Sequence, residues 1–536
     1  MINYQSDRFG SAHWANEYHI ARASMFDGDG MAFGYFNDRL MQTRSLAPGL
    51  IVAGAGGGKF VTILAETVLR SADKNFWFFD PKGEITATTF NAFAAKGADL
   101  YVCNPFGLHG LPQNTVNPFA LVTLGNPRRH ADTSALMAAL IPETSDNPYF
   151  VNTAREWCGG IVLARVEQHG KTSPTDLYYV ARSIVSDASA WDAQLTFMEQ
   201  SHDPVIRGAA GEIWDKQKNA PREFQAIYGT IMLALSFLND PKNRAAMQDS
   251  DFSLDLLCMP GVGPCSFSLI LPAEYIKPYA AMVRLIFAAT VLTKYRYSGG
   301  SPLHMIVDET GQLGRFEMAL EAVTYGRSAG IIPEFVFQDI GQIVRNYGQS
   351  AVQTFMGSCE RRRFFAIRDY DTANLISRML GAQTLDYNDR AAQEAAEHQA
   401  VEAIRRYTQG SDPVRAAHDF LFHEATAHRT TKMQRWLMNG DELMAMPDDR
   451  MIAMISGRNL PPIYAERYPY YTMRDLVGLW LPNPHHSSPL DQVIVPDGSH
   501  GQKTARVITC DVPPELAHFP QYASGTLQYV EGFYPF

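Results

Sequence analysis

Short apolar runs that end at Gly, Asp or Pro recur along this chain, and amphipathic stretches separate them. Most of the runs are continuously apolar, as strands buried on both faces of a parallel sheet are. The alternation therefore predicts an α/β fold, in which helices cover a parallel sheet. The predicted strands cover residues 50–53, 76–79, 100–102, 265–271, 305–307, 334–337, 364–367 and 451–455.

Helical spacing replaces this pattern between about residue 126 and residue 255. One apolar stripe there has offsets of 0, 3, 4, 7, 11 and 14 positions, which place its members on one helix face. The members are Phe224, Ile227, Tyr228, Ile231, Leu235 and Leu238. We therefore expect an all-helical insertion in the α/β domain.

Three further segments have their own character. The apolar stretch 279–292 is interrupted by Arg284, so it predicts a buried helix rather than a membrane span. Residues 391–406 are helical and polar, which predicts a surface helix. Beyond about residue 480 the chain is rich in Pro, His, Ser and Gly, and this composition predicts an extended C-terminal tail.

Composition narrows the possible functions. Of the 536 residues, 46% are hydrophobic and 19% are charged, which excludes a disordered chain. The formal net charge of −10 means that any contact with nucleic acid has to be local, in a groove or pore. The six cysteines are scattered without CxxC spacing, which indicates buried thiols in a reducing cytoplasm rather than a disulfide framework.

A glycine-rich turn follows the first predicted strand. Gly54-Ala55-Gly56-Gly57-Gly58-Lys59-Phe60 leads from this strand into a helical segment, which is the order of a P-loop. Glycines let backbone N–H groups surround a phosphate, and the lysine reaches its β and γ oxygens. Two positions depart from the pattern: Ala53 replaces the first glycine, and Phe60 replaces the hydroxyl residue that ligates magnesium. A glycine-rich turn with a chance lysine is the alternative.

A second half of a nucleotide site lies far downstream. The apolar strand at 304–307 ends in Asp308-Glu309, and in P-loop ATPases such carboxylates hold magnesium and polarise the attacking water. Arg327 precedes the next strand and has the position of a finger that enters a neighbouring subunit's site. Gln338 ends that strand, where an amide can sense the γ-phosphate. A surface arginine and a loop-bonding amide are the alternatives for these two residues.

Together these segments resemble the type IV coupling proteins, the hexameric ATPases of bacterial conjugation and type IV secretion. The resemblance covers roughly residues 9–471. The matching segments are Phe9-Gly10-Ser11-Ala12-His13-Trp14-Ala15, the glycine loop, Phe79-Asp80-Pro81-Lys82-Gly83-Glu84, Asn117-Pro118-Phe119, Val307-Asp308-Glu309 with Gln312-Leu313-Gly314, Gly326-Arg327, Gln338 with Tyr347-Gly348, Asp371-Thr372-Ala373 through Ile376-Ser377 to Leu380-Gly381, and Asp441-Glu442-Leu443 with Met446-Pro447.

The resemblance implies a RecA-like P-loop motor domain with an inserted all-α domain. The implied parts are an N-terminal segment (1–46), the nucleotide-binding domain in two pieces (47–125 and 256–480), the all-α domain (126–255) and a C-terminal extension (481–536). In that family, the residue at the position of Lys59 binds phosphate, and those at Asp308 and Glu309 hold Mg²⁺ and activate water. The residue at the position of Gln338 senses the γ-phosphate, and the arginine at the position of Arg327 acts on the site of a neighbouring subunit. The cofactors are then ATP and Mg²⁺.

The resemblance also implies partners and a location. We expect a homo-hexameric ring that moves single- or double-stranded DNA, recruited with relaxase or relaxosome proteins, toward a type IV secretion channel or an inner-membrane partner. The family usually begins with transmembrane helices, whereas this sequence begins with the motif that follows them. That start suggests a form without these helices, either docked by a partner or truncated, and a cytoplasmic location at the inner membrane.

The departure at Phe60 keeps a second hypothesis open, in which a degenerate relative recruits DNA or protein cargo as a scaffold without ATP turnover. Other signals indicate little chemistry. His423 and His428 are five positions apart and diverge on a helix, which disfavours a shared metal. The run 361–363 of arginines is equally compatible with a DNA channel and with a solvated or intersubunit surface. The three tryptophans of the insertion, Trp157, Trp191 and Trp214, are predicted to lie in its core.

Overall fold

The structure is a computed structural model, which describes residues 8–28, 30–143, 148–428, 430–485, 492–497, 501–518, 522 and 525–532. The chain divides into two units. The smaller unit comprises the described residues of 1–19, 367–446 and 461–463, and the larger unit comprises those of 20–366, 447–460 and 464–536.

A large sheet organises the larger unit. Its eleven strands in the described part of the chain lie in the order β2-β1-β13-β12-β9-β3-β8-β7-β4-β6-β5. The strands are β1 (Met31–Phe36), β2 (Arg39–Thr43), β3 (Gly49–Ala53), β4 (Asn75–Asp80), β5 (Asp99–Cys103), β6 (Cys265–Ile270), β7 (Leu303–Val307), β8 (Ile331–Phe337), β9 (Arg361–Phe365), β12 (Arg450–Ile455) and β13 (Ile463–Glu466); β10 (Ala382–Tyr387) and β11 (Thr431–Trp436) belong to the smaller unit.

All eight predicted strands are present, but the sheet is not wholly parallel. Seven consecutive strands of the sheet run parallel to one another, namely β9, β3, β8, β7, β4, β6 and β5. Strand β12 is antiparallel to β9, and β1 is antiparallel to β2 and β13. The predictions missed β1, β2 and β13, because β2 and β13 contain only two and three apolar residues and the run of β1 is interrupted by Gly34. The partner and direction of an edge strand are decided by the tertiary fold.

The helices that lie wholly or partly outside the smaller unit form three groups along the chain. Before the all-helical stretch lie α1 (Glu17–Arg22), of which residues 17–19 belong to the smaller unit, α2 (Ala65–Ser71) and α3 (Glu84–Ala95). A π-helical turn, Phe60–Leu64, precedes α2. The helical stretch contains α4 (Arg129–Leu140), α5 (Pro148–His169), α6 (Pro174–Ser186), α7 (Ala188–Gln200), α8 (Pro204–Asn219), α9 (Pro221–Ala234) and α10 (Pro241–Ala246). After it come α11 (Ala280–Arg296), α12 (Glu317–Tyr325), α13 (Ile340–Tyr347) and α14 (Gln349–Ser358).

The helical stretch matches the sequence pattern closely. The stripe on α9 and the turn after it is buried at Phe224, Ile227, Ile231, Leu235 and Leu238, whereas Tyr228 is half-buried. Three of the helices, α6, α8 and α10, begin at a proline that follows a Ser or Asp cap, a common start signal. In α9 the first proline follows an alanine instead.

Two of the three tryptophans behave as predicted. Trp157 and Trp191 are buried in the helical stretch, so the prediction of a core position is confirmed for them. For Trp214 it is wrong, because 37% of this side chain is exposed on α8. Its helix buries Ile206, Ala210 and Ile213 instead, so Trp214 lies beside the buried face rather than on it.

The apolar stretch at 279–292 forms the buried helix α11, as predicted. Among the described residues, the structure contains no helix that is long and apolar enough to cross a membrane. The cysteines also follow the prediction, since all six are free thiols and five are buried. Burial raises the pKa of Cys103, Cys158 and Cys265 to about 12, so these thiols are protonated and unreactive at neutral pH.

The arginine run has a role that the sequence did not suggest. Arg361 and Arg363 on β9 are buried, and both pair with the buried Glu334 of β8, at 3.1 and 2.7 Å. These two residues therefore line neither a DNA channel nor a solvated surface. Side chains alternate along a strand, so both point to the same face, where β8 supplies one carboxylate for two guanidinium groups.

The smaller unit is built on a helical hairpin and a two-stranded ribbon. Its helices are α15 (Tyr370–Leu380), α16 (Arg390–Thr408), α17 (Pro413–Ala427) and α18 (Gly440–Met444), and β10 pairs antiparallel with β11. The polar segment 391–406 lies within α16, as predicted, and most of its side chains are exposed. Its buried alanines, Ala396, Ala400 and Ala403, recur with helical spacing on one face.

The C-terminal region is not the extended tail that its composition suggested. Strands β14 (Gln492–Asp497), β15 (Gly501–Asp511) and β16 (Thr526–Val530) form a three-stranded antiparallel sheet. Alternating residues such as Val493 and Val495 form a small core with Ala505 and Val530. The proline-rich composition of 482–489 hid this signal, and residues 486–491 of that run lie outside the described residues.

Candidate nucleotide site

The glycine loop lies where β3 ends, in the centre of the sheet. Gly56 and Gly58 have φ angles of +71° and +77°, in the left-handed region that favours glycine. A Cβ atom on Gly57 would lie 2.5 Å from the Cβ atom of Ala366, which leaves no room for a side chain. Three positions of the loop therefore need glycine for backbone reasons, and the loop has the shape that a P-loop requires.

The fold brings the two halves of the predicted site together. Strand β8 lies between β3 and β7, so the loop after β3 and the carboxylates after β7 share the carboxyl edge of the parallel strands. The Lys59 ammonium forms ion pairs with Asp308, at 3.1 Å, and with Glu309. Gln338, at the end of β8, donates from Nε2 to Glu309 Oε2 at 2.9 Å.

Burial and charge act against each other in this cluster. Burial lowers the pKa of Lys59, but the carboxylates of Asp308 and Glu309 outweigh this effect, and the pKa lies above its usual value. Burial raises the pKa of Asp308 despite the nearby ammonium group. The Lys59 ammonium is thus stabilised by its partners, whereas at Asp308 burial still outweighs the nearby ammonium.

Glu309 has an unusual backbone. Its φ and ψ angles of 55° and 38° lie in the left-handed region, which is costly for a side-chain-bearing residue. The conformation starts a short 3₁₀ turn, Thr310–Gln312, and Thr310 anchors this turn through a bond from Oγ1 to the Val307 carbonyl, at 2.7 Å. The strained turn places the Glu309 carboxylate against both Lys59 and Gln338.

Arg327 lies apart from this cluster. It belongs to a 3₁₀ turn, Gly326–Ala329, ahead of β8, and its side chain is 65% exposed. Its guanidinium lies 3.6 Å from the Glu360 carboxylate. Within one chain the structure therefore brings together Lys59, Asp308, Glu309 and Gln338 but leaves Arg327 at the surface.

Phe60 does not project into the phosphate-binding loop. Only 6% of the residue is exposed, and its ring packs edge-to-face against Tyr470 with 5.9 Å between ring centroids. The bulky residue that replaces the usual hydroxyl is thus a core residue of the first helical turn. The nearest hydroxyl along the turn is that of Thr62, which donates to the Gly58 carbonyl at 3.0 Å.

Two further residues of the site were missed by sequence reasoning. Asp80, at the end of β4, is buried and accepts two hydrogen bonds of 2.8 Å from the Thr86 N–H and hydroxyl. Burial raises its pKa to about 6. Arg467 is also buried and donates to the Gly57 carbonyl at 2.6 Å. The end of an apolar strand was the signal for Asp80, whereas nothing in the sequence joined Arg467 to a loop about 410 positions away.

The donor set of the site suits a phosphate and a hard divalent cation. Glycine N–H groups and an ammonium can bind phosphate oxygens, and Asp308 and Glu309 supply the oxygen ligands that Mg²⁺ prefers. Gln338 and Glu309 together can hold a water molecule by accepting and donating hydrogen bonds. The arrangement can therefore bind and hydrolyse a nucleoside triphosphate.

Comparison with known proteins agrees with this site. The chain matches the family model for type IV secretory system conjugative DNA transfer over residues 4–492. It is 23% identical over 354 residues to the conjugal transfer protein TraG of Agrobacterium fabrum, covering 63% of this chain and 51% of that protein. It is 24% identical over 347 residues to the type IV secretion system-coupling protein VirD4 of Bartonella henselae, covering 63% and 53%. The chain thus spans about half the length of the curated relatives it matches.

Solved structures show the same architecture. The conjugative coupling protein TrwBΔN70 in complex with sulphate superposes with a TM-score of 0.61 at 15% identity, covering 85% of this chain and 93% of that one. The plasmid coupling protein TrwB in complex with ADP and Mg²⁺ gives a TM-score of 0.60 at 14% identity, with the same coverage. The fold is the RecA-like nucleotide-binding domain with an all-α domain that the sequence predicted. The chain belongs to the type IV secretory system conjugative DNA transfer family.

Proposed function

We propose that this chain is the ATP-hydrolysing subunit of a conjugative coupling ring, which moves DNA toward a type IV secretion channel. The observation that carries the proposal is the cluster of Lys59, Asp308, Glu309 and Gln338 beside an intact glycine loop. These side chains come from three different strand ends, and the relative that superposes well on this fold is known in complex with ADP and Mg²⁺. We infer DNA as the cargo from the conjugative DNA transfer family to which the chain belongs.

Each residue of the cluster has a chemical role in the proposal. The backbone of Gly54, Ala55, Gly56, Gly57 and Gly58, with Lys59 and the start of the helix at Phe60, binds the phosphates of ATP. Asp308 holds Mg²⁺, and a bound Mg²⁺ ion neutralises charge on the phosphate oxygens. Glu309 accepts a proton from the attacking water, and Gln338 orients that water or senses the γ-phosphate.

Arg327 completes the site from a neighbouring subunit. Its exposed guanidinium is available to a partner, and an arginine that enters from outside stabilises the charge that develops on the transferred phosphoryl group. A head-to-tail contact of this kind generates a ring, and a homo-hexamer is the form that the proposal assigns to the active protein.

The proposal extends to partners, location and domain boundaries. We assign DNA, single- or double-stranded, relaxase or relaxosome proteins, and a channel or inner-membrane partner, with the protein on the cytoplasmic side of that membrane. The N-terminal segment ends near residue 46, the all-α domain extends over 126–255, and the two pieces of the nucleotide-binding domain are 47–125 and 256–480. The sheet β14–β16 then belongs to a C-terminal extension, 481–536.

The test is steady-state ATP hydrolysis by the full chain, with and without single-stranded DNA. Lys59→Ala removes the phosphate-binding ammonium, and Glu309→Gln keeps the size of the side chain but removes its basic carboxylate. We expect DNA-stimulated turnover that falls at least about 100-fold in both variants, as it does when a group of the reacting centre is lost. Glu309→Gln still binds MgATP.

Turnover that is unchanged in both variants would refute the assignment of the site. Absence of turnover in the wild type, across a range of DNA and protein concentrations, would favour the scaffold hypothesis. Binding of MgADP by the wild type but not by Lys59→Ala would support the assigned nucleotide site. If the chain is a scaffold without a nucleotide site, neither the wild type nor Lys59→Ala should bind MgADP.

A further inference from the structure

Arg467 is a buried cation that contacts the glycine loop. It follows β13 in the chain and is 2% exposed. Its Nη1 donates to the Gly57 carbonyl at 2.6 Å and to Thr62 Oγ1 at 2.9 Å, and its Nε donates to the Arg450 carbonyl at 3.2 Å. The guanidinium also lies over the Phe365 ring, 4.1 Å from its centroid. Among the described residues it has no ion pair with a carboxylate.

The contacts fix the direction of one peptide group of the loop. In a trans peptide unit the C=O and the following N–H point in opposite directions, and the described part of the chain has no cis peptide bond. Arg467 holds the Gly57 carbonyl on the outside of the loop. The N–H of Gly58 therefore points to the other side, where a phosphate binds in a loop of this kind.

Thr62 acts in the same way on the next peptide group. Its backbone N–H and its hydroxyl both donate to the Gly58 carbonyl, at 2.9 and 3.0 Å, and together they turn the Lys59 N–H in the opposite direction. The same hydroxyl accepts from Arg467, so one proton and one lone pair are both used. Arg467 and Thr62 together hold two consecutive peptide groups whose N–H donors precede the helix.

The loop needs such support because its own sequence supplies little. Four of the five residues from 54 to 58 are glycines, which have no side chain to pack and the largest backbone freedom to lose. The hydroxyl that P-loops carry directly after the lysine is absent, since Phe60 lies in the core. A clamp from elsewhere in the chain can restore the preorganised loop.

We propose that Arg467 is a positioning residue of the nucleotide site, which with Thr62 holds the phosphate-binding loop in its binding-competent form. This inference rests on the proposed nucleotide binding and adds a residue that the P-loop pattern does not include. Its positive charge behind the loop also favours an anion in front of it, and the Gly57 carbonyl, if left unpaired, would be a buried acceptor without a donor.

The experiment is calorimetric titration of the full chain with MgADP, on the wild type and six variants. Arg467→Met removes both the charge and the donors, and we expect binding about tenfold or more weaker, the effect of losing hydrogen bonds from a charged donor. Arg467→Lys keeps the charge but not the fork of donors and is expected to be intermediate. Thr62→Val keeps the shape of the side chain and is expected to weaken binding several-fold, about the effect of one neutral hydrogen bond.

Arg450→Met is the matched control. Arg450 lies on the adjacent strand β12, and its side chain pairs with Glu466 at 2.9 Å rather than with the loop. Its removal should leave the MgADP affinity unchanged. Thermal unfolding of each variant tests the fold, and if Arg467→Met does not fold, Arg467→Lys and Thr62→Val decide. Since Arg467 and Thr62 act on one loop, the double variant should lose less than the product of the two single effects.

The outcomes separate this proposal from the one on which it rests. If the wild type does not bind MgADP, both proposals are overturned. If Lys59→Ala weakens binding but the folded variants at Arg467 and Thr62 bind as the wild type does, the nucleotide site stands and the positioning role is overturned. Equal weakening in Arg450→Met would overturn it as well, because the effect would then reflect general loss of charge.

Discussion

Buried ionisable residues are expected to give this protein its strongest pH dependence. Glu334 is buried between Arg361 and Arg363. Burial alone would raise the pKa of this carboxyl, but the two guanidinium groups outweigh burial and hold the pKa below its usual value of 4.5. A carboxyl whose pKa is lower in the folded state adds stability above its unfolded pKa, and this stability is lost as the pH falls through the folded pKa.

We predict that Glu334→Gln lowers the free energy of unfolding at pH 7 by about 3–5 kcal/mol, because two buried cations lose the carboxylate with which both form ion pairs. The difference between wild type and variant should shrink as the pH falls below 4.5, because the unfolded wild type then binds a proton at Glu334 more readily than the folded protein does. Urea unfolding at several pH values measures this. A difference that stays constant down to pH 3 would contradict the assignment of the ion triad.

His304 should also lower stability in acid, but its effect starts at a higher pH than that of Glu334. Burial lowers its pKa from 6.5 to about 3, and the nearby Arg361 and Lys74 act in the same direction. The folded state therefore keeps the ring neutral while the unfolded state binds a proton, and stability falls as the pH falls from 6.5 toward 3.

The variant His304→Leu removes this proton linkage. Between pH 7 and pH 5 the wild type should lose roughly 2 kcal/mol more stability than the variant does, about 1.4 kcal/mol for each pH unit below the unfolded pKa. Parallel stability curves of the two proteins over this range would show that His304 is accessible to protons in the folded state.

At the scale of single elements, two neighbouring glycines of α5 have different surroundings. A Cβ atom on Gly160 would lie 2.5 Å from the Cβ atom of Ala209 on α8, which is too close. A Cβ atom on Gly159 would lie 3.6 Å from Thr133, an ordinary contact. Helix α5 therefore packs closely against α8 at Gly160, whereas Gly159 has room for a methyl group.

We predict that Gly159→Ala stabilises the protein by up to about 1 kcal/mol, since alanine is the better helix former. Gly160→Ala gains the same helix propensity but has to separate α5 from α8, so it should destabilise by about 1–3 kcal/mol. Chemical unfolding of the two matched variants measures both effects. Equal stabilisation by both would mean that the packing of α5 on α8 is looser than the structure shows.

The first turn after the glycine loop is the second element with a testable role. Because the Phe60 ring packs against Tyr470, Phe60→Thr should destabilise the protein by about 3 kcal/mol, as large-to-small core substitutions do. We expect no gain in MgADP affinity, since the clamp of Arg467 and Thr62 already supports the loop. Phe60→Leu, which keeps most of the volume, should cost less than about 1.5 kcal/mol. Tighter binding by Phe60→Thr would instead support a degenerate site.

At the scale of the whole molecule, the distance between Arg327 and the cluster predicts shared sites. Lys59→Ala and Arg327→Ala should each abolish turnover. In a ring, the intact loop of an Arg327→Ala chain can meet the intact arginine of a Lys59→Ala neighbour. Mixing equal amounts of the two inactive chains should therefore restore activity, to roughly a quarter of the wild-type value if the sites of a head-to-tail ring work independently.

This mixing experiment has a simple control. A mixture of Lys59→Ala with Glu309→Gln should stay inactive, because both changes affect the same chain's half of the site and no neighbour can replace them. Recovery in this control would contradict the placement of Lys59 and Glu309 in the same half of the site, and no recovery in the Lys59→Ala and Arg327→Ala mixture would show that Arg327 does not act in trans.

The sequence was sufficient to predict the main cluster of the candidate site, but not the contact of Arg467 with the glycine loop. Lys59, Asp308, Glu309 and Gln338 each follow an apolar run, and the carboxyl ends of neighbouring parallel strands meet at one edge. Apolar runs reveal strands that are buried on both faces, so those strand ends are visible along the chain. Arg467 follows a short strand near the sheet edge, and no local pattern indicates which of many arginines turns inward.

By itself the sequence determined the α/β class, eight strands of the large sheet, the helical stretch and the order of the site motifs, because hydrophobic period and turn chemistry are local properties of the chain. The tertiary structure decided the strand order, the antiparallel edge, the pairing of Arg361 and Arg363 with Glu334, and the contact of Arg467 with the glycine loop. These features join residues far apart in the chain, and such contacts depend on packing and on the burial of charge, which have no counterpart in a local pattern.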